Sequence, residues 1–196
     1  MGVSAAYFLA VEHGITDITL VDPRPPLTLT SDKSTECYRN WWPGPGDAMV
    51  QLHNRSIALL DDFARQSSNV FHLNRRGYLY LSTDKARTPH MEAGAQEASA
   101  LGAGELRVHR GGSSSYQPHQ AEGFEHSPDG ADLLLDAALI RQHFPYLGED
   151  VVAALHVRRA GWLSAQQYGA WLLEQARAAG VHMLSGKVVA VHTQAG

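Results

Sequence analysis

The chain has 196 residues, of which 44% are hydrophobic and 18% charged, with a formal net charge of −4. That composition supports a packed core and excludes a wholly disordered chain. The mild negative balance offers no footprint for nucleic acid or an anionic membrane, so neither is expected as a partner. From Gly2 to about Glu12, small and bulky apolar residues alternate as in a buried helix, and Gly14 stands where a helix-ending glycine is favoured. Ile15 to Val21 then reads as a strand of β-formers, broken by Pro23, Pro25 and Pro26. Residues 27–46 read as irregular.

Asp47 is a good N-cap for a helix from about Ala48 to Gln66, with Val50, Ile57, Leu60 and Phe63 near helical period. Gly77 to Thr83 reads as a strand, residues 89–101 as weakly helical and residues 109–130 as an exposed loop. A short helix is predicted around Ala137 to His143, then a strand and turn over 151–164. Ser164 with Gln167 forms a capping box for a helix through Ala179, which Gly180 ends. The segments "VHMLSG" and "KVVAVHTQ" read as two final strands. The order of elements is mixed α/β.

No apolar run reaches the roughly 18 residues that cross a bilayer. The N-terminus lacks a basic region, and Glu12 and His13 interrupt its apolar stretch, so no signal peptide is expected. The single cysteine, Cys37, excludes an internal disulfide and fits a cytoplasmic setting. It is expected to be a buried or inert thiol. The eleven histidines are scattered, without H-E-x-x-H or C-x-x-C spacing, so no metal is expected and solvated or half-buried imidazoles are the better reading. No G-x-S-x-G elbow or P-loop is present, and "GGSSSY" lacks the setting of a nucleophile loop. Asp61 and Asp62 read as solvated.

Two stretches carry chemistry. In the first, Gly2, Ala6, Ala10 and Gly14 recur every fourth residue and would give a helix a smooth face against a sheet. Asp22 follows about 20 residues later at a strand end, where a dinucleotide-binding βαβ unit puts the acid that accepts from ribose hydroxyls. That spacing favours the dinucleotide reading over an ordinary packing helix with a turn-forming Asp22. The preceding strand and the first two glycines of such a fingerprint are not in this chain. The second stretch is "TLTSDKSTECYRNWWPG". Its hydroxyls can bind a phosphate or a flavin edge, or simply make turns. Arg39, Trp41 and Trp42 either pack beneath a cofactor or form a core edge.

With these segments the chain resembles the FAD-dependent oxidoreductases of the D-amino-acid oxidase type, the sarcosine, glycine and dimethylglycine oxidase or dehydrogenase group. "MGVSAAYFLA…ITLVD" is similar to the end of the glycine motif with its helix and second strand. "TSDKST" is similar to the hydroxyl-rich flavin loop and "RRGYLYLST" to the first strand of the substrate domain. "FPYL" and "AGWLSAQQYGAWLLEQARAAGVHMLSGKVVAV" resemble the approach to the second flavin-domain segment. The resemblance implies a partial Rossmann-like FAD-binding domain interleaved with part of a substrate domain. Residues 1–72 and 161–196 would serve the cofactor, and 73–160 the substrate.

It further implies that Gly2 lies at the pyrophosphate helix, that Asp22 binds the adenosine ribose and that Arg24 flanks the adenine. Ser31, Ser34 and Thr35 would lie near the flavin or its diphosphate, and Val188 would touch the adenine through its backbone. The hydroxyl loop holds no histidine for a histidyl-flavin linkage. Relatives continue into a small-residue strand, the rest of the substrate domain and a late glycine-rich segment, whereas this sequence stops at Gly196. The expectation is therefore a fragment cut at both ends. Its parent would oxidise a small amine or amino acid by hydride transfer to flavin, and the chain alone would be inactive and bind FAD weakly or not at all. Two alternatives stay open: a nicotinamide-dependent dehydrogenase fragment, and a non-catalytic flavin-fold subunit completed by a partner chain.

Overall fold

The structure, a computed structural model, describes residues 1–33, 36–111 and 114–192. It divides into two units, Met1–Glu36 with Ser164–Gly196, and Cys37–Leu163.

In the first unit, strand β1 (Thr19–Asp22) pairs in parallel with β8 (His182–Ser185), setting Asp22 opposite Ser185. Helix α1 (Gly2–Tyr7) continues as a π-helical turn over Phe8–Glu12. Gly14, at φ +67°, turns the chain where the sequence placed a helix-ending glycine. The strand starts later than Ile15, because Ile15 N–H bonds back to the Leu9 carbonyl and Ile18 N–H to the Thr16 carbonyl. Ala6 and Ala10 are buried, but α1 packs chiefly on α6 (Ala165–Ala178) and only to a lesser extent on β1. The small-residue face therefore serves a helix more than a sheet. Ser164 Oγ caps α6 by accepting the Gln167 N–H at 3.4 Å, and Gly180, at φ +102°, follows its end. The strand expected from Lys187 does not form over residues 187–192. Val188, Val189 and Val191 find no pairing strand there and are exposed; β-propensity without a surface to pack on is not enough.

In the second unit, β3 (Tyr78–Ser82), β4 (Leu106–His109), β5 (Ala131–Leu134) and β6 (Ala153–Val157) form a sheet in the order β3-β6-β5-β4. Its pairs are antiparallel except β4 with β5. A smaller antiparallel pair joins β2 (Cys37–Arg39) to β7 (Ala160–Trp162). Both β5 and β6 are buried along their whole length. Alternate side chains therefore feed two cores. Leu133, Leu155 and Val157 join Val50 of α3 (Ala48–Gln66), Trp41, and Ala95 and Ala98 of α4 (Thr88–Ala98). Leu134 and Ala154 join Tyr116, Phe144 and the Leu139–Ile140 face of α5 (Ala137–His143).

Several expectations, most of them for this second unit, need correction. The irregular stretch 27–46 contains the short helix α2 (Thr30–Lys33) and β2. Strands β4 and β5 flank the 109–130 loop, and that loop buries Tyr116 and Phe124. Asp47 precedes α3 but makes no side-chain cap; its carbonyl accepts the Gln51 N–H. Cys37, expected to be a buried or inert thiol, is exposed, so the buried alternative does not hold. Asp61 is not a solvated acid: both its oxygens accept from Arg75 Nη2, at 2.6 and 2.8 Å, and Tyr38 bonds the same guanidinium. Among the described residues, no helix is long and apolar enough to cross a membrane.

Candidate functional site

Within the first unit, four segments and Met183 of β8 line a cavity of about 390 Å³. The first turn of α1 supplies Met1 to Ser4, and the end of β1 supplies Leu20 to Asp22. The following loop supplies Arg24 to Leu29 with Ser31, and α6 supplies Ala165, Tyr168, Gly169 and Leu172. The opening N–H groups of a helix have no partner within it and point outward. Asp22 sits where the parallel strand ends, and its Oδ1 accepts the Arg24 N–H at 2.9 Å. Gly2 is not sterically obligatory, since a Cβ there would meet only Leu20 Cδ2, at an ordinary 3.7 Å.

Of the residues singled out from the sequence, Gly2, Asp22, Arg24 and Ser31 all line this one cavity. Val188 does not; it lies in irregular backbone and is 62% exposed. Ser34 and Thr35 lie outside the described residues. What sequence reasoning missed is the contribution of α6, which forms the wall facing the Arg24–Ser31 loop.

The second unit has its own cavity, of about 760 Å³, lined by Arg39, Trp41, Trp42, Tyr80, Arg87 and Met91 among others. The Arg39 guanidinium lies 4.3 Å from the Trp42 ring centre and 4.9 Å from that of Tyr78. No carboxylate lies within ion-pair distance of Arg39 among the described residues. Arg39 Nε and Trp41 Nε1 are buried without a hydrogen-bond partner. An aromatic-walled cavity holding Arg39 and Arg87, neither of them in an ion pair among the described residues, with one carboxylate, Asp84, on the same wall, suits a ligand bearing a carboxylate. Trp41 belongs to the core and Trp42 packs against it, and both line the cavity, so the tryptophan pair serves packing and cavity together.

A polar network crosses the same sheet. Register sets Arg107 opposite Asp132, and Asp132 opposite His156. Asp132 accepts from Arg107 Nε and His109 Nε2, each at 2.8 Å, and from Arg158 at 3.2 Å. Burial would raise the Asp132 carboxyl. The hydrogen bonds from Arg107 and His109, with the charges of Arg107 and Arg158, outweigh it and hold the carboxyl below the usual range. Ser114 Oγ lies 3.0 Å from His109 Nδ1, so serine, imidazole and carboxylate stand in a row. The carboxylate is already engaged by two arginines, and Ser114 Oγ also accepts the Tyr116 N–H. Neither cavity opens on Ser114. This is a satisfied structural network, and in it His109 and His156 are fully buried, where the histidines were expected to be solvated or half-buried. Among the described residues, no group of His, Cys, Asp or Glu could hold a metal ion.

The family profile described as FAD dependent oxidoreductase, abbreviated DAO, matches residues 1–196. The chain belongs to the DAO family. No curated protein sequence gives a match. Among solved structures, this DAO chain is similar to glycine oxidase from Bacillus cereus ATCC 14579, with a TM-score of 0.73 and 16% identity, over 99% of this chain and 47% of that one. It is similar to L-proline dehydrogenase from P. horikoshii, with a TM-score of 0.69 and 16% identity, over 93% and 40% of the two chains. A third is iminodiacetate oxidase from Chelativorans sp. BNC1, with a TM-score of 0.65 and 20% identity, over 93% and 43%. These likenesses concern the fold, a mixed α/β arrangement of the FAD-binding oxidoreductase type. The DAO chain thus spans less than half the length of each of these three relatives. Of the two dinucleotides that a βαβ unit can serve, the family takes FAD. The first cavity suits the nucleotide half of such a molecule, with a carboxylate at a strand end, helix-start N–H groups and apolar walls in one place.

Proposed function

We propose that this chain forms the adenosine side of the FAD site in an oxidoreductase acting on a small amine or amino acid. The observation that carries the reading is the position of Asp22, at the end of a parallel strand and on the wall of a cavity shared with the start of α1. FAD, when bound, supplies the electron sink for a hydride from the carbon beside the substrate nitrogen, and the resulting imine is hydrolysed by water. The chain's own residues bind and orient. Asp22 accepts from the ribose hydroxyls, and the first-turn N–H groups from Gly2 onward face a phosphate. Arg24 flanks the adenine, and Ser31 offers a hydroxyl to the diphosphate or flavin. Ser34 and Thr35 take the same part, and Val188 offers its backbone to the adenine, on the family resemblance alone.

The unit Met1–Glu36 with Ser164–Gly196 is assigned to the cofactor and Cys37–Leu163 to the substrate. An amine or amino acid as substrate is supported by the relatives, a glycine oxidase, a proline dehydrogenase and an iminodiacetate oxidase. The uncompensated Arg39 is assigned to a substrate carboxylate. Oxidation itself is left to the full length that such enzymes use, so this chain alone is expected to bind nucleotide only weakly.

The test is titration of the 196-residue chain with ADP, followed by NMR. Binding is expected in the millimolar range, and Asp22→Ala should weaken it about tenfold, the worth of one hydrogen bond to a charged group. Glycine added to the same chain should shift the Trp42 indole signal, and Arg39→Met should abolish that shift. ADP binding that ignores Asp22→Ala, or no ADP binding at all, would overturn the cofactor assignment.

A further inference from the structure

We infer that Gln166 is a positioning residue that clamps the nucleotide-facing loop to α6; the inference rests on the cofactor reading above. The loop after β1 carries Arg24 and Ser31 along the cavity. Its start is turned by the Arg24 N–H donated to Asp22 Oδ1, at 2.9 Å, and Thr28 Oγ1 donates to the Pro25 carbonyl at 2.8 Å. Inside that Pro25–Thr28 turn Leu27 adopts φ +65°, a left-handed conformation that costs a branched side chain energy. The turn closes around Leu27 but does not use its carbonyl, which takes a contact from outside the loop.

Helix α6 provides that contact twice. Gln166 Nε2 donates to the Leu27 carbonyl at 2.7 Å and to Asp32 Oδ1 at 3.2 Å, so one amide group ties both sides of Ser31. Three residues on, and so on the same helical face, Gly169 leaves the space that Leu27 fills. A Cβ there would stand 2.5 Å from Leu27 Cδ2. The carboxamide satisfies a backbone acceptor and a side-chain acceptor, and the missing side chain seats the leucine. Together they fix the loop in its strained form, with Arg24 and Ser31 on the cavity wall. Gln166 does not line that cavity, so its effect on a ligand is indirect.

The experiment uses the 196-residue chain with ADP as probe, together with amide hydrogen exchange of the ligand-free chain. Gln166→Glu keeps the shape but sets a carboxylate against the Leu27 carbonyl and Asp32. It is expected to raise the ADP Kd about tenfold. It should also speed exchange of the Asp32 N–H, which bonds to the Leu29 carbonyl, and leave the His182 N–H on the Ile18 carbonyl unchanged. Gln166→Lys restores a donor and should bring ADP binding back to within about threefold of the unaltered chain. Gly169→Ala displaces the Leu27 side chain and should likewise speed exchange of the Asp32 N–H, a readout taken without ADP because Gly169 itself lines the cavity, which keeps the test available if Gln166→Glu fails to fold. Normal ADP affinity in a folded Gln166→Glu chain, or no recovery with lysine, overturns the clamp. An unaltered chain that binds no ADP instead overturns the nucleotide reading and the inference with it.

Discussion

His156 makes the stability of this chain depend on pH in a direction that can be worked out from its neighbours. Its ring is 1% exposed on β6. Nε2 lies 3.1 Å from the Arg76 carbonyl, which only accepts, so Nε2 carries the proton. Nδ1 is then the acceptor for Tyr116 Oη at 2.9 Å and Arg158 Nη1 at 3.1 Å. A second proton on Nδ1 would break the bond from Arg158, force the Tyr116 hydroxyl to turn from donor to acceptor, and face the Arg158 charge. Burial first, and Arg158 second, push the imidazole down to about 4, against smaller opposing pulls from the Arg76 carbonyl and Asp132. The unfolded chain takes up a proton near pH 6.5, while the folded chain resists until about pH 4. Between those values the unfolded state binds more protons, so stability falls as pH falls. The gap, at about 1.4 kcal/mol per pH unit, amounts to roughly 3 kcal/mol. His156→Gln removes the titration. Urea unfolding, read by tryptophan fluorescence at intervals from pH 7 to 4, should show the unaltered chain losing roughly 3 kcal/mol more than the variant. The neighbouring His119, also lowered by burial and then by Arg158 and Arg76, is present in both chains and largely cancels. Parallel stability curves for the two chains would refute the reasoning, as would an NMR titration of His156 near its ordinary value.

Two further outcomes follow from the same unit and from α1. Asp132→Ala strips the buried Arg158 of its carboxylate, at a cost of about 3–5 kcal/mol. At about 2–4 °C per kcal/mol for a chain of this size, the melting temperature should drop by about 6–20 °C in a calorimetric scan; a drop of under about 2 °C would count against the network's role. Gly77→Ala and Gly2→Ala should separate cleanly in denaturant unfolding. At Gly77, with φ +88°, a Cβ would run into the His156 ring and stand 2.8 Å from the Val157 carbonyl, so a loss above about 2 kcal/mol is expected. At Gly2 the nearest atom is Leu20 Cδ2 at 3.7 Å, and a change within about 0.5 kcal/mol is expected. Equal effects at the two sites would show that neither contact governs the outcome.

Legibility in this sequence follows the range of the interactions. Helix α3 was legible because one amphipathic period runs through it, and α6 because Ser164 caps it within four residues. Gly2 and Asp22 were named from the spacing of one helix–strand segment and Arg24 and Ser31 from the family resemblance, and all four line one cavity. Strand β5 was not. Buried on both faces and four residues long with Asp132 inside it, it shows no alternation, and "DLLLD" passes without a break toward the helix that follows. The network around Asp132 was hidden behind that omission. Its local trace is a pair of i, i+2 spacings, Arg107 with His109 on β4 and His156 of β6 with Arg158 just past its end. His109, His156 and Arg158 are buried, and Asp132 is the acid that the register sets beside them. The clamp at Gln166 lies further out of reach. A glutamine on an amphipathic helix looks like any exposed polar residue until the fold sets it against Leu27, far back in the chain, at a position whose backbone strain no sequence pattern records.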